Sequence, residues 1–230
     1  MEYLTQQVCS LRCQQVYTVL SRLHDAARGD RWRFLQLLPQ VIAGRLAGKQ
    51  MFEILTPQTT KNLYIPISRE QGKFLYLMAR SVGAKRVVEF GTSFGVSTIY
   101  LAAAVRDNQG EVVVGTEFEP SKHERAVANL AEAGLSQVTD IRLGDALETL
   151  RDVPEPVDLV LLDGWKDLYI PILELLKPKL RSGSVVLADN IFTFKKTLRP
   201  YVEYMRSGKN GFESMTLTIG AGFEYSYYVG

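Results

Sequence analysis

Two short stretches of the chain end in the residue types that a hard metal ion needs. One apolar run closes with Leu161-Leu162-Asp163-Gly164-Trp165-Lys166-Asp167-Leu168-Tyr169, and another with Val186-Leu187-Ala188-Asp189-Asn190. Asp163, Asp189 and Asn190 offer two carboxylates and an amide oxygen. That donor set suits a divalent ion such as Mg²⁺ and leaves octahedral positions for water and substrate. A single aspartate after a strand means little. Two on neighbouring strand ends, one followed by asparagine, make a pattern.

A second group lies upstream in Glu89-Phe90-Gly91-Thr92-Ser93-Phe94-Gly95. Glycines between a strand and a helix let the backbone turn sharply and approach a ligand closely. The spacing is G-x-x-x-G, whereas a nicotinamide site wants G-x-G-x-x-G with helix amides facing a pyrophosphate. Glu89 before the turn would repel a pyrophosphate but suits an ammonium group. S-adenosylmethionine carries an ammonium and a sulfonium and no phosphate. Gly91, Ser93 and Gly95 would form its cradle, with the helix amides around Ser97 receiving its carboxylate. Glu117 ends the next apolar run, where nucleoside-binding folds place the acid that accepts from a ribose diol. Asp145 follows the third run and is read as a partner of the adenine amino group. Asp145-Ala146-Leu147-Glu148 is also a helix capping box, and both roles are compatible.

The elements that must position these residues follow from hydrophobic patterning. Apolar runs at 86–90, 111–117, 138–143, 157–163 and 184–189 alternate with helical stretches near 95–106, 120–134, 145–152 and 167–180. Runs such as Leu159-Val160-Leu161-Leu162 are apolar on both alternating faces, as in parallel strands covered on both sides. The segments 214–220 and 223–229, separated by Ala221-Gly222, predict a closing antiparallel hairpin. The fold class is therefore α/β: a doubly wound Rossmann-like sheet of five parallel strands plus a C-terminal hairpin. Helical spacing over 4–28 and 31–46 predicts an N-terminal helical appendage (1–60) ahead of the main domain (61–230), and another helix runs from near Ser68 to Gly83.

Among 230 residues the formal charge is +2 and the cysteines number two. That balance gives no general drive toward nucleic acid or membrane. Cys9 and Cys13 would share one helix face and are read as small buried side chains. With no signal-peptide pattern and no long apolar run, the expectation is a cytoplasmic protein without membrane association. His24 and His123 are placed for no Ser-His or Cys-His pair and are read as surface or locally satisfied residues.

The sequence Asp163-Gly164-Trp165-Lys166-Asp167-Leu168-Tyr169, with Ala188-Asp189-Asn190 and the loop at 89–95, resembles the metal-dependent catechol O-methyltransferase family over roughly residues 60–230. The resemblance implies a methyltransferase sheet in which Asp163, Asp189 and Asn190 hold the metal and Lys166 is the general base. It also implies that Glu117 is the ribose ligand and that the loop, with Asp163 beside it, holds the donor. A cation chelated by two neighbouring oxygens lowers their pKa, and Lys166 near a cation loses its own proton more readily. Without those flanking motifs, Lys166 would read as a surface lysine at a helix start.

The expected reaction is methyl transfer to a small aromatic acceptor with vicinal hydroxyls or a hydroxyl beside a carbonyl. Gly164 stands where the animal enzymes carry histidine. Their catechol-contacting glutamate has no counterpart in Ser214-Met215-Thr216-Leu217-Thr218, and Glu224 lies beyond the turn. After Asn190, Phe192, Phe194, Lys195 and Lys196 bring aromatics and cations to the mouth of the site. A homodimer is expected, as among microbial and plant relatives. The alternative keeps the chemistry and changes the acceptor to a hydroxyuridine of tRNA, with Arg28, Arg31, Arg33, Arg45 and Lys49 as phosphate contacts.

Overall fold

The computed structural model describes residues 9–29 and 66–230 and, between them, positions 39, 41–44 and 46–48. Strands β1 (Arg86–Phe90), β2 (Val112–Glu117), β3 (Thr139–Leu143), β4 (Val157–Leu162) and β5 (Leu180–Ala188) pair in parallel. Strands β6 (Phe212–Leu217) and β7 (Phe223–Tyr228) form the hairpin, and β7 joins β5 antiparallel. The sheet order is β3-β2-β1-β4-β5-β7-β6. β5 begins at Leu180, ahead of the expected 184.

Alternation along the strands builds two cores. Val87, Val113, Leu159, Leu161, Val185 and Leu187 face one layer of helices, while Val88, Val114, Val160, Leu162, Val186 and Ala188 face the other. Every residue of β4 is therefore buried. The first layer holds α1 (Gln14–Gly29), α2 (Arg69–Ser81), α3 (Val96–Asp107) and α4 (Pro120–Glu132). The second holds α5 (Ala146–Thr149), α6 (Tyr169–Leu176) and α7 (Lys195–Arg206).

Of the helix expected over 4–28, positions 4–8 lie outside the described residues; within the rest, a 3-10 turn at Ser10–Arg12 precedes α1, which runs from Gln14. The cause is a tether. Ser10 N donates to Asp107 Oδ2 at 2.9 Å, and Arg106 Nε donates to Ser10 Oγ at 2.8 Å. Cys9 and Cys13 consequently bracket a turn and do not share a face of one continuous helix, and Cys9 Sγ lies 3.3 Å from the Tyr76 hydroxyl. Val16, Val19, Leu20 and Leu23 of α1 are buried in the same core as α2, α3 and α4. The expected helix at 31–46 falls mostly, and the side chains of Arg28, Arg31, Arg33, Arg45 and Lys49 wholly, outside the described residues. Among the described residues, no helix is long and apolar enough to cross a membrane.

Chain order reverses between β1 and β4. In open α/β sheets that switch point opens the ligand crevice at the strands' carboxyl ends.

Candidate active site

The glycine loop leaves β1 at this crevice. Gly91 has φ 101°, and a Cβ there would stand 2.7 Å from Gly164 N and 2.8 Å from the Asp163 carbonyl. Gly91 thus lets the loop after β1 lie directly against the loop after β4. Ser93 also adopts a positive φ, 50°, and its N–H donates to Glu117 Oε2 at 2.8 Å. Gly95, at φ 84°, is the N-cap of α3, and Ser97 is buried in the first turn of that helix. A pocket lined by Ile67, Gly91, Ser93, Phe94, Ser97 and Asp163 runs from this loop toward β4.

Glu89 is fully buried beneath the loop. Its Oε2 accepts from Thr92 Oγ1 at 3.1 Å and from Thr98 Oγ1 in a short bond, while Oε1 has no hydrogen-bond partner. Burial pushes its pKa up to about 7; the nearby Ser97, Thr98 and Thr92 hydroxyls oppose the shift, and the charge of Asp163 adds to it. Ser97 is thus among the hydroxyls that favour the charged form, while Oε1 itself makes no hydrogen bond among the described residues. A buried carboxylate oxygen left open in this way fits a cationic ligand group.

Glu117 closes β2. Besides Ser93 it accepts from Glu119 N, through Oε1, at 2.8 Å. Asp145 caps α5 by accepting from Leu147 N at 2.9 Å. The reciprocal half of the expected capping box is not used, because Glu148 pairs with Arg151 at 2.7 Å. Asp145 follows Gly144, whose N–H donates to the Glu117 carbonyl, so both acids lie at the carboxyl ends of adjacent strands.

The second half of the crevice is built on β4 and β5. Asp163 N donates to Phe90 O at 2.9 Å and Asp189 N to Leu162 O at 3.0 Å, which continues the strand ladders and aligns both aspartates at the sheet edge. Asn190 follows at φ 68°, an αL conformation that asparagine tolerates. Lys166 Nζ, its side chain only 8% exposed, donates to the Tyr169 hydroxyl at 2.8 Å and lies 3.4 Å from Asp163 Oδ1. It also sits 5.5 Å from the centre of the Phe194 ring. Burial lowers the Lys166 pKa against the opposing pull of Asp163 and Asp189. Burial and the Asp163 charge push Asp189 up to about 7, and burial raises Asp163. Asp189 is buried and Asp163 partly so; their charges repel one another, and the Lys166 ammonium offsets both. Among the described residues no three His, Cys, Asp or Glu side chains group as a metal site, so a site here depends on Asn190 as its third donor. The donor chemistry fits a hard divalent ion.

Two participants escaped the sequence reading. Gln71 Nε2 donates to both Asp189 oxygens at 3.1 Å. Its signature was the Ser68-x-x-Gln71 capping box, which the structure forms in full. Tyr169 links Lys166 to the backbone, with its hydroxyl donating to Asp189 O at 3.2 Å. Glu224 is buried on β7 and saturated by Arg206, Ser214 and Thr216, so it offers nothing to the crevice. His24 and His123 are satisfied locally, by the Tyr100 hydroxyl at 3.3 Å and the Ile141 carbonyl at 2.9 Å.

This architecture defines a Rossmann-like methyltransferase fold. Residues 88–191 match the family described as a methyltransferase domain. A catechol O-methyltransferase of Mycobacterium tuberculosis is 38% identical over 128 residues, covering 55% of this chain and 57% of that protein. One of Niastella koreensis is 34% identical over 138 residues, covering 58% of this chain and 62% of its own length. The chain thus spans about three-fifths of the length of these curated relatives. The O-methyltransferase TomG of Streptomyces achromogenes, involved in tomaymycin synthesis and solved with its methyl donor, superimposes with a TM-score of 0.68 at 29% identity, covering 76% of this chain and 86% of that one. Residues 88–191 thus match a methyltransferase domain, and the chain is similar to S-adenosylmethionine-dependent O-methyltransferases.

Proposed function

We propose that this chain transfers the methyl group of S-adenosylmethionine to a hydroxyl of a small aromatic acceptor bearing vicinal hydroxyls or a hydroxyl beside a carbonyl. The observation that carries the reading is Lys166, an amine buried beside Asp163, Tyr169 and Phe194 with its pKa lowered by that burial. The names of the two curated relatives support an aromatic acceptor.

The open oxygen of Glu89 suits the donor's ammonium, and the amides around Ser97 suit its carboxylate. Glu117 keeps lone pairs for the ribose, since an ionised carboxylate has about four acceptor sites and two are in use. Asp145 is assigned to the adenine amino group. Asp163, Asp189 and Asn190 would hold a divalent cation such as Mg²⁺, whose charge would lower the pKa of the acceptor hydroxyl.

Lys166 takes the proton of the acceptor hydroxyl, and Asp163 stabilises the ammonium that results. The phenolate oxygen attacks the methyl carbon in line, the new O–C bond forming as the S–C bond breaks, and S-adenosylhomocysteine leaves. Alignment of the two reactants supplies much of the rate. Phe192, half exposed, and Phe194 give the aromatic ring an apolar rim.

The test is transfer of radiolabelled methyl from S-adenosylmethionine to catechol and to an ortho-hydroxy-carbonyl aromatic, with Mg²⁺ or with a chelator. Labelled product that disappears on chelation supports the proposal. Absence of product from every such acceptor sinks it.

A further inference from the structure

Gln71 is buried at the start of α2, far in sequence from either metal-binding motif. Its two amide ends face opposite chemical demands. Oε1 accepts from Ser68 N at 3.0 Å, while Nε2 donates to Asp189 Oδ1 and Oδ2, both at 3.1 Å. The Ser68 N–H can only donate, so it takes Oε1 and turns Nε2 toward the Asp189 oxygens.

The other side of Gln71 is closed by Gly220. At φ 57° this glycine lies so near that a Cβ would stand 2.4 Å from Gln71 Cδ. The turn carrying Gly220 is itself stapled to the loop after β5: Ile191 N donates to Gly222 O at 3.1 Å and Phe192 N to Ala221 O at 2.9 Å. The start of α2, the β6–β7 turn and the end of β5 therefore converge on one carboxylate.

We infer that Gln71 is a positioning residue: its amide, fixed by the α2 cap and braced by Gly220, orients the Asp189 carboxylate for a divalent cation. The inference rests on the metal site proposed above. Partners that orient a ligand from behind change metal affinity by about 10- to 100-fold when removed. The arrangement also ties the cation site to the entry of α2, where Ile67 lines the donor pocket, so the two sites share one mechanical support.

The experiment titrates the ligand-free protein with Mn²⁺, following loss of the free-ion signal by electron paramagnetic resonance, and records a thermal melt of each variant. Gln71→Met is expected to weaken Mn²⁺ binding by about 10- to 100-fold. Ser68→Ala removes the Ser68 Oγ bond to Gln71 N but leaves the amide on Asp189, so it lowers Tm with Mn²⁺ affinity kept within about twofold. Gly220→Ala, which displaces Gln71 without altering it, weakens Mn²⁺ in the same direction as Gln71→Met. Wild-type affinity in Gln71→Met, or equal weakening in Ser68→Ala, overturns the inference while leaving the metal site standing. Absence of Mn²⁺ binding to the wild-type protein overturns the metal site itself.

Discussion

The two halves of the crevice are built by different means. Around β1 and β2 the work is done by backbone: positive φ at Gly91, Ser93 and Gly95, and Glu117 accepting from the N–H groups of Ser93 and Glu119. Around β4 and β5 it is done by side-chain charge, with Asp163, Lys166 and Asp189 grouped at the sheet edge and each displaced from its ordinary pKa. Among the described residues, the first half leaves one buried oxygen, Oε1 of Glu89, without a partner. The second carries mutual repulsion that a cation and a substrate proton would relieve. A cradle that must fit one constant donor can be set in backbone, whereas proton transfer needs groups whose charge can change.

This contrast breaks most visibly at Lys166. Lys166→Met is expected to lower kcat by about 10²- to 10⁴-fold while the affinity for S-adenosylhomocysteine holds, read by steady-state kinetics and calorimetry. A matching loss of affinity would show that the halves are not separable.

Glu89 sharpens the comparison, because it is a group of the glycine half that behaves like the charged half. Its pKa stands at about 7 in the fold against an ordinary 4.5. An acid raised in this way stays protonated in the native state while the unfolded chain ionises. Its contribution is therefore fully present below about pH 4.5 and is lost as pH rises to about 7. In the ligand-free protein Glu89→Gln should remove a loss on the order of 3 kcal/mol over that window, measured by urea unfolding at several pH values. Parallel curves for variant and wild type would refute it.

Next in size comes Glu117→Ala. Loss of its charge-assisted bonds to Ser93 and Glu119 should weaken S-adenosylhomocysteine binding by about 10- to 100-fold, from the roughly 1.5–3 kcal/mol of hydrogen bonds to charged groups. The Mn²⁺ affinity should not move, which is the readout that keeps the two halves distinct.

The smallest effect is expected at the seam between them. At Gly164 a Cβ would stand 2.5 Å from the Phe90 ring. Gly164→Ala should cost about 1–3 kcal/mol of stability by overpacking, measured by urea unfolding, with methyl transfer retained. Unchanged stability would mean that the ring moves aside freely.

Much of this was legible in the residues. The parallel strands could be read because Leu159-Val160-Leu161-Leu162 and its counterparts are apolar on both faces, and burial on both faces is what the sheet imposes. The adjacency of Asp163 and Asp189 followed from strands β4 and β5 being neighbours. The interruption ahead of α1 was not legible, since periodicity runs straight through the point where Asp107, remote in sequence, pins Ser10 into a turn. Gln71 was invisible for the same reason. Its capping-box signature is local, but its second partner lies 118 residues away.

The sequence by itself determined the order of elements, the polar residues at their carboxyl ends and the glycines that turn there, because periodicity and local backbone freedom act over a few residues. Only the tertiary structure decided which of those groups are charged, open or already engaged. It left Glu89 with one free oxygen, buried Lys166 against Tyr169, saturated Glu224 with Arg206 and set Gln71 behind Asp189. Desolvation and long-range contacts act through space, and a linear pattern does not carry them.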